Sequence, residues 1–267
     1  MKLERPARLQ SWLPSAVGRE RMLAARGEPM LYADWLDVVF LHYAVDPAAL
    51  QPLVPWRLDL RDGCAYVSLV AFTMRDMRPR LGGKLAALLF KPIATHEFLN
   101  VRTYVTHDGE SGIHFLAEWL PNSLSVALGP TVFGLPYRKG KLSYQNEPSD
   151  GLVGGSIVDQ RSGASLSYHG TLAGVAVHSP CEAGSLNEFV VERYTAFTSE
   201  CGLRRCFRIW HPPWPVTPLD VEVDDNGLLA ETGDWGRTAT LIGAHHSDGF
   251  PEVWMSRPFF LNHQTSQ

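Results

Sequence analysis

Lysine is scarce. Five residues (Lys2, Lys84, Lys91, Lys139 and Lys141) stand against nineteen arginines, so chemistry that runs through an amine has few places to sit. No GxGxxG, Walker loop, GxSxG or HExxH occurs, and nucleotide, hydrolase and zincin readings lose their usual support. Cysteine is sparse as well: Cys64, Cys181, Cys201 and Cys206 form no CxxC pair and no zinc spacing, the pattern of a reduced intracellular protein with buried thiols. Long hydrophobic runs are missing. The most apolar window, residues 81–94, is interrupted by Lys84 and Lys91, and the basic N-terminus (Lys2, Arg5, Arg8) lacks the apolar run of a signal peptide, so a cytoplasmic location is expected. A net charge of -4 over 267 residues gives no electrostatic reason to bind nucleic acid or a membrane. Small molecules remain as partners, and a homodimer is the base-rate assembly.

What is present is β-forming sequence. Residues 33–43, 64–74 and 96–106 are rich in branched and aromatic side chains and read as strands. Asp108-Gly109 is hairpin chemistry leading into a strand over 113–120. Further strands are expected over 141–145, 152–160, 164–178, 207–210, 216–223 and 251–255, with a turn at Asn226-Gly227 and its partner over 228–231. Helical signals are fewer. They comprise 15–26 after Pro14, a short helix after Asp46-Pro47, an apolar one over 85–90 that packs as core or covers a cavity, and a short turn through Ala127 capped by Asn122 or Ser123. The best is the capping box Ser185-Leu186-Asn187-Glu188, opening a helix to about Ser199. Many strands joined by hairpin signals argue for one α+β domain of predominantly antiparallel β structure, in which a barrel disposes of open edges. Its expected limits are 31–257, after an N-terminal extension over 1–30 and before a tail over 258–267.

Two features carry candidate chemistry. In the third strand Glu97, Leu99, Val101, Thr103 and Val105 share one face while Phe98, Asn100, Arg102 and Tyr104 share the other. Glu97 on an apolar face is either a functional carboxylate or a structural ion pair. The stretch from Gly129 to Lys141 sets backbone breakers (Gly134, Pro136) beside Arg138, Lys139 and Lys141, as a shaped site or as an ordinary strand start with solvated bases. His211-Pro212-Pro213-Trp214-Pro215 is a stiff connector in which His211 and Trp214 line a pocket or simply pack. No metal is expected at His245-His246-Ser247-Asp248, because neighbouring histidines on a strand face opposite ways and Gly249 suggests a surface turn.

The ordered set Trp35 to His42, Ala65 to Arg78, Glu97 to Val105, Phe133-Gly134-Leu135-Pro136-Tyr137-Arg138, Glu192-Arg193-Tyr194 and His211 to Pro215 resembles the YqjF-like family of uncharacterised proteins, which is related to acetoacetate decarboxylase. The resemblance implies a β-barrel-centred fold with an internal cavity, a few peripheral helices and no cofactor. It also implies a departure. The decarboxylase carries two consecutive lysines after a proline, one forming an imine with the keto acid, whereas here Pro136 is followed by Tyr137 and Arg138. Tyr137 cannot form an imine, Arg138 retains a charge that holds a carboxylate, and Glu97 falls where the decarboxylase places a cavity carboxylate. Among Tyr66 to Phe72 no second cavity carboxylate is matched. The expected site is Glu97, Tyr137 and Arg138 for chemistry, with Asn100, Arg102, Tyr66, His211 and Trp214 around a small organic acid. On an unbroken strand Lys139 and Lys141 share the face of Tyr137, and either is the fallback amine of an active lyase; the other reading is a ligand-binding protein without turnover.

Overall fold

The computed structural model describes residues 13–25, 27–147, 151–172 and 178–261. Among them thirteen strands dominate, in order β1 (Leu31–Val45), β2 (Arg57–Leu58), β3 (Ala65–Pro79), β4 (His96–His107), β5 (Glu110–Leu120), β6 (Tyr137–Glu147), β7 (Leu152–Asp159), β8 (Ser165–Leu172), β9 (Thr195–Glu200), β10 (Leu203–Trp210), β11 (Thr217–Asn226), β12 (Thr240–Met255) and β13 (Phe259–Phe260). The helices are α1 (Leu13–Ala24), α2 (Pro47–Leu50), α3 (Gly83–Phe90), α4 (Ser123–Phe133) and α5 (Leu186–Val191). None among the described residues is long and apolar enough to cross a membrane.

All thirteen strands join one sheet in the order β13-β10-β9-β5-β6-β7-β8-β11-β12-β1-β3-β4-β2, with β5 also paired to β4 and β10 to β12. Those two extra pairings return the sheet on itself and remove edges that would otherwise lie open. The expected hairpin is present: β4 and β5 pair antiparallel, and Asp108 and Gly109 take positive φ values of 50° and 75° at its turn. The sheet is mixed, since β5 lies parallel to both β6 and β9.

Strand alternation divides the interior in two. Leu99, Val101 and Val105 of β4 join Leu41, Leu69 and Trp119 in one core, while Phe98 and Tyr104 face Phe40, Phe72 and Trp214 in the other. Each such side chain contributes roughly 1.5–3 kcal/mol by leaving water. Helix α1 lies on β10, where Ser15 donates to the carbonyl of His211 and Trp210 donates to that of Ser15, at 2.8 and 3.1 Å.

Several expectations are corrected. The capping box is real, with Ser185 Oγ accepting from Glu188 N at 3.1 Å, but α5 stops at Val191 and Glu192 is already extended. Thr195 to Glu200 pair with β10 instead, where β-branched residues and a cross-strand partner outweigh the helical spacing of Tyr194 and Phe197. Asn226-Gly227 leads into 3-10 turns rather than a strand, and β11 takes β8 as its partner. Strand β12 begins eleven residues before the expected start of 251 and includes Gly249, which pairs with Leu36. Helix α3 does not pack as core: Leu85, Leu88 and Leu89 are 70, 62 and 73% exposed.

Candidate functional site

Helix α4 shapes the site. Asn122 caps it, its side chain accepting from Leu124 N and Ser125 N at 3.0 Å each. The helix runs through Gly129 and Pro130, read above as the approach to a strand, and ends at Gly134 in the left-handed conformation (φ 69°). The left-handed conformation is what favours glycine at Gly134; a Cβ there would also come within 2.6 Å of Arg205 Nη1, the mobile tip of a long side chain. Gly129 has a different reason, since any Cβ there would collide with the ring of Tyr137. The helix thus lies directly on the start of β6.

Tyr137 stands at the end of a row of paired residues. Val70 of β3 pairs with Asn100 of β4, Asn100 with Glu118 of β5, and Glu118 with Tyr137 of β6. Between Val101 and Arg102 the β4–β5 register slips, so that Arg102 faces Phe115 and Asn100 faces Glu118. This bulge turns both Phe115 and Glu118 toward the same side, although simple alternation would separate residues three apart.

Beneath α4 lies a pocket of about 400 Å³, which Phe115, Glu118, Asn100 and Tyr137 all line. Its remaining walls are mainly apolar: Trp35, Phe72, Met74, Phe98, Phe133 and Phe207 lie inside, with Phe90 and Ile93 from α3 and the turn after it. Six buried polar atoms among its lining residues have no hydrogen-bond partner. They are Trp35 Nε1, both ring nitrogens of His96, Asn100 Oδ1, Glu118 Oε1 and Ser125 Oγ. An unpartnered buried polar atom costs on the order of 1–3 kcal/mol, so six in one pocket mark a surface suited to an outside hydrogen-bonding group.

Burial sets the charge of these groups. It pushes the Glu118 carboxyl well above the usual carboxylate range and lowers the His96 imidazole to about 4. Tyr137 is raised by burial and then by the neighbouring Glu118. Burial thus favours the uncharged forms of the Glu118 carboxyl, the His96 imidazole and the Tyr137 phenol, and no lysine or arginine is among the described lining residues.

The expected site residues separate. Tyr137 and Asn100 line the pocket. Glu97 lies on the other face of β4, half-buried beside Tyr144; the alternation was read correctly, but the pocket is on the Asn100 side. Arg138 turns away from Tyr137 to meet Glu231 at 3.3 Å and stacks over Trp119, as the next residue of a strand must. Lys139 and Lys141 are exposed and do not line the pocket. Arg102, Tyr66, His211 and Trp214 are buried outside it. Arg102 donates to the Val190 carbonyl at 3.2 Å, Tyr66 packs edge-on to Phe189, and Trp214 Nε1 donates to His211 Nε2 at 3.1 Å. His96, Glu118 and Ser125 were missed. Glu118 gave a signal, a lone carboxylate between Ala117 and Trp119 in an apolar run.

Residues 32–249 match DUF2071, described as an uncharacterized conserved protein. The uncharacterized protein YqjF of Bacillus subtilis (strain 168) is 27% identical over 201 residues, covering 74% of this chain and 80% of that one. Among solved structures, an acetoacetate decarboxylase-like enzyme from Sphingomonas wittichii RW1 superposes with a TM-score of 0.59 at 18% identity, over 88% of this chain and 94% of its own. The acetoacetate decarboxylase of Legionella pneumophila gives 0.60 at 13%, over 87% of each chain. The enduracididine biosynthesis enzyme MppR, complexed with pyruvate, gives 0.59 at 14%, over 90% of this chain and 93% of that one. At these identities the likeness is one of fold.

Proposed function

This chain belongs to the DUF2071 family, and we propose that its pocket binds a small organic acid, or the corresponding ketone, through a mainly hydrocarbon body and a single polar head. On this reading the strands of the closed circuit act as a barrel wall, and α3 and α4 cover its open end. The observation that carries the proposal is the clustering of six unpartnered polar atoms in an otherwise apolar pocket. A ligand oxygen accepts from the protonated Glu118 and the imidazole N–H of His96, while a ligand hydroxyl or acid proton satisfies Asn100 Oδ1. The aromatic and methionine walls take the hydrocarbon. That a structure of the same fold holds pyruvate supports a keto acid as one class of ligand. Imine chemistry through Lys139 or Lys141 finds no support, both amines being outside the pocket.

Calorimetry with a panel of three- to eight-carbon carboxylic acids, keto acids, ketones and amines tests the proposal. Acids and ketones with hydrocarbon tails are expected to bind and amines to fail. Asn100→Leu, which keeps the branched shape and removes the polar atoms, is expected to weaken binding at least tenfold. No binding across the panel at millimolar concentration, or affinity indifferent to Asn100→Leu, would refute it.

A further inference from the structure

Outside the pocket, a second polar cluster lies where β12 passes the chain after β8. Histidines 245 and 246 are neighbours on that strand and face opposite ways, His245 toward the His42 ring at a centroid distance of 5.3 Å. His246 and Asp248, two residues apart, share the other face. Against them comes His178, from the segment that bridges to Val216 at Ser179. The metal-ligating atoms of His178, His246 and Asp248 all lie within 4.8 Å of one another.

We propose that these three residues form a site for a divalent transition ion of the zinc class. His178 is already oriented for it: its Nδ1 hydrogen-bonds with Thr217 Oγ1 at 3.1 Å, leaving Nε2 at 3.5 Å from Asp248 Oδ2. A hydrogen bond to the far nitrogen is how ligating histidines are commonly held. Ligand atoms about 2.0–2.2 Å from a tetrahedral ion lie roughly 3.3 Å apart, so this pair is at the required spacing and the third donor closes it by small side-chain rotations. An ion pair between His178 and Asp248 accounts for those two alone. It leaves His246, fully buried with both ring nitrogens unpartnered, without explanation, whereas a metal satisfies one of them directly. Two imidazoles and one carboxylate favour zinc, cobalt, nickel or copper over magnesium or calcium and leave a coordination position open. None of the three lines the pocket, so the site acts apart from it, fastening the 178–179 segment to β12.

The test is a Zn²⁺ titration of the chelator-stripped full chain by calorimetry, repeated with Co²⁺ to read ligand-field absorption. One ion per chain is expected, with Mg²⁺ and Ca²⁺ failing to compete. His246 lies in the core and its replacement threatens folding, so the more accessible ligands carry the test. Asp248→Asn and His178→Gln should each weaken Zn²⁺ binding at least tenfold, while His169→Ala, in the exposed His169–Glu222 pair, should leave it unchanged. Absence of a saturable site overturns the proposal, as does Zn²⁺ affinity unaltered in both Asp248→Asn and His178→Gln.

Discussion

Replacing Glu118 with glutamine isolates the electrostatic claim on which the pocket rests. Glu118 is 3% exposed, and burial raises its carboxyl well above the ordinary range. In the unfolded chain the same group ionises near pH 4.3. Above that pH the folded chain holds one more proton than the unfolded chain, and stability falls by about 1.4 kcal/mol for each pH unit over which the proton is retained. The sign follows from the raised folded value: the contribution is fully present below the ordinary carboxyl pKa and is lost as pH rises through the folded one. Glutamine keeps the shape and cannot ionise, and every other titrating group is common to both proteins. Urea unfolding of the two proteins at half-unit steps from pH 4.5 to 8 should therefore show Glu118→Gln becoming progressively the more stable, with a slope that rises toward about 1.4 kcal/mol per unit as the unfolded carboxyl becomes fully ionised, before the difference levels off. A difference that does not change with pH would mean that Glu118 is charged in the folded chain or has a partner there, and the neutral pocket would be wrong.

The pocket's lack of an amine makes a second prediction: borohydride treatment with pyruvate or acetoacetate should leave the protein unlabelled by mass spectrometry, and a label on Lys139 or Lys141 would bring the imine route back. Arg138→Ala should leave ligand affinity unchanged and lower stability by no more than about 1 kcal/mol, as for a partly exposed ion pair. Calorimetry and urea unfolding of the same variant read both quantities, and a tenfold loss of affinity would return Arg138 to the site.

Local rules read the sheet and its hairpins well where each residue obeyed its own strand. The alternation along 96–106, the Asp108-Gly109 turn, the Asn122 cap and the Ser185 capping box follow from side chains within a few residues of one another. What failed needed a neighbour distant in sequence. Which face of β4 carries the pocket depends on α4 lying above Asn100, and nothing in the alternation says so; hence the expected site draws on both faces, Glu97 from one and Asn100 and Arg102 from the other. Gly129 and Pro130 belong to a helix and not to the approach to a strand, and glycine is at 129 because Tyr137 of the next strand leaves no room for a Cβ. Glu118 was hidden by the bulge, because without it Phe115 and Glu118 belong to opposite faces. Arg138 was the avoidable error. If Tyr137 points inward on a strand, the next residue points out.

Tyr137 and Glu118 also explain each other. A lysine at position 137 would set an ammonium beside Glu118, holding that carboxyl ionised and giving the pocket an ion pair. With a phenol there instead, nothing opposes the burial that favours the protonated form of Glu118. The consequence reaches the ligand. A carboxylate entering this pocket meets no cation and must share the Glu118 proton, so two carboxyls carry one charge between them. A ketone only accepts a hydrogen bond from the same proton. Raising the pH strips that proton in both cases, but the acid then faces a like charge as well as a lost donor. Affinity for acids should consequently fall more steeply with pH than affinity for ketones of the same length, and equal pH dependence of the two classes would place the carboxylate head away from Glu118.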